Sequence, residues 1–246
     1  MDRHERHFDY SVRSMRDADV PTKELLVKPV VIFGAGQVAE VMHYYLVHEG
    51  RSTVSAFTVD GNFLTADTHL GLPVVAFEDI VDRFPPDSFD MYVAVSFKEV
   101  NKARERKVAE AEAKGYTLTS HVSPRAVVWA GFEARPNTFI MENNVIQPYV
   151  TIGKNVILWS GNHVGHHTTI EDHCFVASHV VISGSVTVGK GTFIGVNATL
   201  RDNIKIGRHN VIGASALILD DTEDEAVFIG QRATKIAKRS SELRNI

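Results

Sequence analysis

Five histidines lie close together in the second half of the chain and form its densest group of chemically active side chains. They are His163, His166, His167, His173 and His179. Histidine titrates near neutral pH, so a neutral imidazole can accept a proton from an attacking amine or hydroxyl, and histidine is also a common zinc ligand. The cluster therefore allows general base catalysis or metal binding.

A six-residue repeat must position these side chains. From Val122 to Ile218 an aliphatic or small residue returns every six positions, and a second inward residue such as Cys174 follows four places later. This period fits neither a helix nor a single strand, but it fits a solenoid with three six-residue faces per coil. Glycines such as Gly153 and Gly165 follow the aliphatic positions, and we expect them at corners that need positive φ.

The repeat also sorts the histidines. His166 lies two places after Val164, and Gly184 lies two places after Ile182, which is eighteen residues or one coil later. These two residues are therefore predicted to stack on one face. His167, His173 and His179 each lie three places after an aliphatic position on successive faces, so they would meet on one ion only across a subunit interface. We expect His173 and His179 to be solvated polar residues.

An α/β pattern precedes the repeat. The predicted elements are a strand at Pro29–Phe33, a Gly34-Ala35-Gly36 turn, a helix from Gln37 to Glu49, a strand at Val54–Val59, a short strand at Val74–Val75 with a helix near Glu78, a strand at Met91–Ser96 and a helix from Lys98 to Lys114. Alternating strands and helices predict a small parallel sheet. A short helix at Tyr10–Asp17 is also compatible with the charged stretch before it.

The ends of two of these strands offer a ligand site. Open α/β sheets bind ligands at the carboxyl ends of their strands, where Gly34, Gly36 and Asp60 lie. Backbone N–H groups at the helix N-terminus could face a phosphate or a sugar, with Asp60 reaching a ribose or base. The alternative is a turn that only needs flexible residues.

Net charge, cysteine content and apolar runs limit the classes of partner and the location that we expect. The 246 residues carry a formal charge of −4 with a pI near 6.3, and neither nucleic acid nor an acidic membrane favours such a surface. Cys174 is the only cysteine, the sequence has no apolar run of 18 residues, and we expect no signal peptide. These features favour small-molecule ligands and a cytoplasmic location.

Taken together, these motifs resemble the PglD/NeuD-like bacterial sugar acyltransferases, which are hexapeptide-repeat proteins with a left-handed parallel β-helix. The resemblance rests on Val31-Ile-Phe-Gly-Ala-Gly36, on the strand ending at Ser96 followed by a helix with Asn101 and Arg104, and on the hexapeptide repeat. It implies an N-terminal extension (1–28), a Rossmann-like nucleotide-sugar-binding domain (29–120), a β-helix acyltransferase domain (121–236) and a C-terminal tail (237–246).

The resemblance also implies ligands and site residues. It implies a homotrimer, a nucleotide-linked sugar in the N-terminal domain and acetyl-CoA between neighbouring β-helices, with no metal. His166 matches the catalytic histidine, and the Gly184 N–H would face the thioester oxygen. The acidic residue that often follows the histidine is replaced by His167. Either His167 orients His166 through a neutral tautomer, or a carboxylate does so; the carboxylates considered are Glu142, Glu171 and Asp172.

The ligand-binding residues are expected in two groups. The sugar nucleotide is expected at Gly34, Gly36, Gln37 and Asp60. A pantetheine arm needs small residues in the later coils, and the coenzyme is expected at Gly195, Asn197, Gly213, Ala214, Ser215, Arg232 and Lys235.

The expected function is transfer of an acetyl group from acetyl-CoA to the amine of a nucleotide-linked sugar, with His166 as general base. Three alternatives remain open at this stage: O-acetylation of a sugar hydroxyl, a zinc β-helix hydratase of the γ-carbonic anhydrase type, and a non-catalytic scaffold. The hydratases usually have a histidine five residues after a Gly-His pair, whereas Glu171 stands there in this chain.

Overall fold

The structure of the chain is a computed structural model that describes residues 28–50, 52–237 and 239–242. The predicted N-terminal extension up to residue 27, with its possible helix at Tyr10–Asp17, lies outside these residues. So does part of the predicted C-terminal tail. No helix in the described ranges is long and apolar enough to cross a membrane.

The first described part is a five-stranded sheet with helices packed on it. Its elements are β1 (Val30–Phe33), α1 (Gln37–His48), β2 (Val54–Val59), a 3-10 turn (Gly61–Phe63), β3 (Thr68–His69), β4 (Leu72–Ala76), a 3-10 turn (Phe77–Asp79), α2 (Ile80–Arg83), β5 (Asp90–Val93) and α3 (Lys102–Ala113). The strand order is β3-β4-β2-β1-β5, and only the short β3–β4 pair is antiparallel. The predicted parallel α/β sheet is confirmed.

Helix α3 begins four residues later than predicted. Glu99, Val100 and Asn101 have φ values of 55°, 50° and 66°, so the chain makes a left-handed turn before the helix starts. The turn brings the buried Asn101 amide to the following domain, where its Nδ2 donates to the carbonyl of Gly191 (2.8 Å). The helix ends before Gly115, whose φ of 91° suits the glycine that terminates a helix.

The second part is the predicted left-handed parallel β-helix. Its strands are β6 (His121–Val122), β7 (Val127–Val128), β8 (Phe139–Ile140), β9 (Val145–Ile146), β10 (Thr151–Ile152), β11 (Ile157–Leu158), β12 (His163–Val164), β13 (Thr169–Ile170), β14 (Phe175–Val176), β15 (Val181–Ile182), β16 (Thr187–Val188), β17 (Phe193–Ile194), β18 (Thr199–Leu200), β19 (Lys205–Ile206), β20 (Val211–Ile212), β21 (Leu217–Ile218) and β22 (Val227–Phe228). A last 3-10 turn spans Ser240–Glu242.

The strands stack in three faces. Face 1 has the order β22-β20-β17-β14-β11-β8-β6, face 2 the order β21-β18-β15-β12-β9-β7 and face 3 the order β10-β13-β16-β19. From Ile140 to Ile218 every sixth residue is buried, and these side chains form one continuous core. Burying each such side chain contributes roughly 1.5–3 kcal/mol, so the stacked column stabilises the coil arrangement.

The prediction that the glycines after the aliphatic positions need positive φ is wrong. The left-handed conformation falls two residues later, where His167, His173 and His179 have φ values of 60°, 64° and 58°. Glycine is needed at Gly165 for a different reason: a Cβ there would lie 2.6 Å from the backbone nitrogen of Gly184 in the next coil. The coils therefore approach each other too closely for a side chain at that position.

The α/β part packs on face 1 of the β-helix. Aromatic rings form much of the contact: Tyr92 lies 5.1 Å from Phe139, and Phe97 lies 4.7 Å from Phe193 between ring centroids. Faces 2 and 3 carry no such cover from the described part of the α/β sheet and its helices.

Arg104 joins the two parts at the centre of this contact. Its fully buried guanidinium donates to the carbonyl oxygens of Ser96 (3.0 Å), His173 (2.9 Å) and Cys174 (3.1 Å). Its Nε also donates to Oδ1 of Asn155 (3.0 Å). Burial lowers the pKa of Arg104 to about 10, which leaves the side chain charged at neutral pH. One cation therefore satisfies backbone acceptors on both sides of the contact.

Candidate active site

His166 lies at the exposed corner between faces 2 and 3. Val164 of β12 anchors the segment in the core, and the chain then leaves the face through Gly165. The backbone N–H of His166 donates to Oε1 of Gln147 in the preceding coil (2.9 Å). This bond fixes the backbone from which the imidazole projects.

The predicted stack of His166 and Gly184 is present. A Cβ on Gly184 would lie 2.8 Å from Cε1 and 2.9 Å from Nε2 of His166, so the imidazole rests on the glycine of the next coil. Among the described residues the Gly184 N–H has no acceptor. The His166 imidazole and a backbone N–H without an acceptor therefore belong to neighbouring residues in adjacent coils. Acyl transfer needs a proton acceptor and an oxyanion donor of this kind.

His167 contacts His166 directly. The two Nδ1 atoms are 3.0 Å apart, and the rings are nearly perpendicular at 85°. The ring of His167 packs against that of Tyr149, with 4.7 Å between centroids. The left-handed corner conformation of His167 turns its side chain back toward the preceding histidine.

The carboxylates considered as partners of His166 bind elsewhere. Glu142 accepts a hydrogen bond from the hydroxyl of Tyr45. Glu171 accepts the backbone N–H of Lys190 (2.9 Å), and Asp172 accepts that of Lys154 (2.8 Å). None of them contacts His166.

His173 is not a solvated residue, so that expectation is wrong. It is buried under α3, where Nδ2 of Asn155 donates to its Nδ1 (2.8 Å) and Glu105 lies 3.7 Å from its Nε2. Burial lowers the pKa of His173 and outweighs the opposite effect of Glu105.

His179 is exposed at another corner. No group of three potential metal ligands occurs in the ranges that the structure describes.

A cavity of about 350 Å³ opens at the carboxyl ends of β1 and β2. Gly34 and Asp60 line it, whereas Gly36 and Gln37 do not; its other walls include Phe33, Phe63 and Lys107. Gly34 has a φ of 116°, and a Cβ there would lie 2.9 Å from the carbonyl oxygen of Ala94. Glycine at this turn therefore has a structural reason besides any ligand.

Asp60 is already paired. Lys107 donates to its Oδ1 (2.7 Å) and also contacts Glu110. Burial alone would lower the pKa of Lys107, but the hydrogen bonds to Asp60 and Glu110 outweigh burial and raise it. The cavity thus presents a protonated lysine beside the carboxylate, so contact of Asp60 with a ribose would have to share this ion pair.

The residues predicted for the coenzyme are spread over the later coils. Gly195 and Ala214 line an apolar cavity of about 480 Å³ together with Phe97, Trp159 and Phe193. The remaining predicted residues lie outside its lining: Asn197 and Ser215 at left-handed corners, Gly213 close to β22, and Arg232 and Lys235 in the exposed stretch after β22.

Sequence reasoning missed Gln147, Tyr149 and Lys107. Gln147 and Tyr149 could have been found from the repeat, because they lie one coil before Gly165 and His167 at equivalent positions. Lys107 had no such signal, since its meeting with Asp60 depends on how α3 packs against the sheet.

Comparisons with known proteins add to this geometry. Residues 149–184 and 185–220 match the family described as bacterial transferase hexapeptide (six repeats). No curated protein matches the chain in sequence. The chain is similar to the solved structure of a histidine-to-asparagine variant of perosamine N-acetyltransferase from Caulobacter crescentus in complex with CoA and GDP-perosamine. The identity is 25%, the TM-score is 0.75, and the match covers 83% of this chain and 94% of that one.

Two further structures share the fold. The acetyltransferase domain of PglB from Neisseria gonorrhoeae FA1090 is 23% identical, with a TM-score of 0.72 over 81% of this chain and 95% of that one. WeeI from Acinetobacter baumannii AYE is 20% identical, with a TM-score of 0.71 over 82% of this chain and 96% of that one. Both matches extend across the α/β sheet as well as the β-helix.

Proposed function

We propose that this chain, a member of the PglD/NeuD-like family of hexapeptide-repeat sugar acyltransferases, moves an acetyl group from acetyl-CoA to the amine of a nucleotide-linked sugar. The observation that carries the proposal is the stack of His166 on Gly184. It combines a group that can take a proton with a donor that can stabilise an oxyanion, and acyl transfer from a thioester requires both.

The reaction needs no covalent enzyme intermediate. The sugar amine attacks the thioester carbon while Nε2 of His166 removes a proton from it, and the Gly184 N–H donates to the oxygen that becomes negatively charged. Collapse of the tetrahedral intermediate breaks the carbon–sulfur bond, and protonated His166 gives its proton to the departing sulfur, so that CoA leaves as the thiol. General base catalysis contributes roughly 10²- to 10⁴-fold in rate, and an oxyanion donor contributes roughly 10²- to 10³-fold.

The acceptor is proposed to enter through the cavity at the carboxyl ends of β1 and β2. That cavity has the position at which α/β sheets bind ligands. Lys107 in its wall is paired with Asp60 and Glu110, so Lys98, which also lines the cavity, is the proposed positive charge for a diphosphate. The similar Caulobacter enzyme has GDP-perosamine, a nucleotide-linked amino sugar, as its ligand. An amine acceptor is therefore preferred to a hydroxyl, with Gly34, Gly36, Gln37 and Asp60 as proposed nucleotide contacts.

The donor is acetyl-CoA. The pantetheine arm is proposed to run along the later coils past Gly195, Asn197, Gly213, Ala214 and Ser215, and Arg232 or Lys235 would meet the CoA phosphates. The apolar cavity at Gly195 and Ala214 supports this route, because its aromatic walls suit an alkyl or adenine group.

A second copy of the chain is proposed to complete the site. The α/β part covers face 1, whereas His166 stands at the corner between faces 2 and 3. Face 2 exposes the apolar side chains of Val127, Val145, Val181 and Leu217, in an outward row that also contains His163 and Thr199. The outward residues of face 3 are instead polar: Thr151, Thr169, Thr187 and Lys205. Packing copies through face 2 would bury this row and set His166 beside a neighbouring subunit, in the proposed cytoplasmic homotrimer.

The experiment is an acceptor screen with the purified full chain. Release of the CoA thiol from acetyl-CoA is followed with GDP-, UDP- and dTDP-linked amino sugars and their hydroxyl counterparts, and the product is identified by mass spectrometry and NMR. We expect an N-acetylated product from the amino sugars linked to one of the three nucleotides and not from the other two. An O-acetyl product would contradict the choice of acceptor, and one zinc per subunit with no thiol release would contradict acyl transfer.

A further inference from the structure

We infer that His167 is a positioning residue for His166, and that the base is oriented by a second neutral imidazole instead of a carboxylate. The inference rests on the proposed function, in which His166 removes the proton. Its starting point is the distance of 3.0 Å between the two Nδ1 atoms. That separation is a hydrogen bond, so one proton lies between the two rings.

The position of this proton decides whether His166 can act as a base. If Nδ1–H of His167 donated to Nδ1 of His166, the single proton of neutral His166 would lie on Nε2. Nε2 could then not accept a proton from the acceptor amine. If His166 donates through Nδ1–H, its Nε2 keeps a lone pair and His167 carries its own proton on Nε2. The reactive state is therefore the one in which Nδ1 of His167 is the acceptor.

The backbone holds His167 in place for this role. Its φ of 60° belongs to the corner of the coil, and its N–H donates to the carbonyl of Pro148 (3.3 Å). The Tyr149 ring supports one side of the imidazole. The carbonyl of His166 accepts the N–H of Ser185 (2.8 Å), so both histidines are tied to neighbouring coils.

No carboxylate competes for the Nδ1 of His166 among the described residues. Glu142, Glu171 and Asp172 are bound to Tyr45, Lys190 and Lys154 as described above. The nearest acidic residue in the same corner column is Asp202, two coils beyond His166, and it accepts the side chain of Asn203 (2.5 Å). His167 is thus the side chain that contacts Nδ1.

Two substitutions at position 167 separate positioning from structure. His167→Gly removes the acceptor, and glycine tolerates the left-handed φ, so the coil should be preserved. His167→Asp restores an acceptor that cannot donate. We expect His167→Gly to lower kcat roughly ten- to hundredfold with KM nearly unchanged, as losses of orienting partners of histidine do. His167→Asp should recover kcat to within about threefold of the natural chain.

The outcomes that overturn the inference are specific. Natural kcat in His167→Gly would show that His166 needs no orienting partner. His167→Asp as slow as His167→Gly, with an unchanged melting temperature, would show that His167 supplies something only an imidazole can. If His166→Asn turns over normally while His167→Gly does not, the base assignment of the proposed function fails instead.

A second measurement does not depend on finding the acceptor. In the full chain with ¹⁵N-labelled histidine, the inference predicts that the ring of His166 is protonated on Nδ1 and unprotonated on Nε2 at mildly alkaline pH. His166→Asn identifies the signals, and His167→Gly should mix the two tautomers. A His166 ring protonated on Nε2 would overturn the inference even if no turnover were measured.

Discussion

The imidazole of His166 rests directly on Gly184, because a Cβ at position 184 would lie 2.8 Å from its Cε1. Gly184 does not have a left-handed φ, so an alanine there would disturb the histidine rather than the turn. Glycine at position 184 thus leaves room for the His166 ring to lie against the backbone.

Gly184→Ala is therefore expected to lower activity with little loss of stability. The added methyl group displaces the end of a flexible side chain, and a misplacement of about 1 Å costs roughly hundredfold in kcat. Steady-state kinetics and thermal melting check this. Gly165→Ala is the matched control, since its Cβ would meet the backbone of the next coil at 2.6 Å and should lower the melting temperature. Full turnover by Gly184→Ala would contradict the proposed geometry.

Arg104→Met is expected to weaken the contact between the α/β part and the β-helix. It leaves the carbonyl of His173 without a donor. It also removes a donor from the carbonyls of Ser96 and Cys174, of which Cys174 still accepts the N–H of Ile157. An unpaired buried acceptor costs about 1–3 kcal/mol. Chemical denaturation should show a loss of about 1–3 kcal/mol or a separate early transition. Arg106→Met is the control on the same helix, since Arg106 is exposed and forms a surface ion pair with Glu99. Equal stability of the two variants would contradict the role of Arg104 in joining the α/β part to the β-helix.

The β-helix could be predicted from sequence because each coil repeats the same physical requirement. One aliphatic residue in six must enter the core, and the registry of eighteen residues then sets which side chains stack, as His166 and Gly184 do. The conformation of the corners could not be predicted so well. Gly165 is set by the approach of the next coil, and His167 adopts the left-handed conformation in spite of its side chain.

The contacts between the α/β part and the β-helix could not be predicted from the sequence. The α/β sheet has no repeat that fixes its orientation on face 1, so neither the burial of Arg104 and His173 nor the pairing of Lys107 with Asp60 follows from local pattern. The late start of α3 also depends on the contact between the two parts. Its left-handed turn at Asn101 is stabilised by an acceptor in the β-helix.

Stability should fall as the solution becomes acidic, in part through His121. Burial lowers the pKa of His121 and outweighs the hydrogen bond with Glu49, which would raise it. The unfolded chain therefore binds more protons below the ordinary value of about 6.5, and stability is lost as pH falls through that value. His121→Gln should show a smaller difference in melting temperature between about pH 7.5 and about pH 5.5. An unchanged difference would contradict the assignment.

Glu49 contributes at lower pH. Burial would raise its pKa, but hydrogen bonds involving Ser123, Arg125 and His121 outweigh burial and lower it. Its contribution to stability is present above the ordinary pKa of a glutamate and is lost as pH falls through the lowered value. Protonation of His121 therefore lowers stability as pH falls through about 6.5, whereas protonation of Glu49 lowers it at more acidic pH.

Val181→Glu is expected to break the assembly. It places a carboxylate among the exposed apolar side chains of face 2, where packing against a second copy would remove the charge from water. Light scattering should change from three times the 27.2 kDa of one chain to a single copy, with loss of turnover. Thr151→Glu on face 3 is the control and should keep the mass. A trimer that survives Val181→Glu would exclude face 2 as the interface.

The most direct test of the account is the turnover of His166→Asn with acetyl-CoA and the acceptor found by the screen. The account predicts that kcat falls at least roughly hundredfold while the affinity for CoA, measured by calorimetry, changes by less than about twofold. Turnover close to that of the natural chain would contradict the claim that His166 removes the proton from the acceptor.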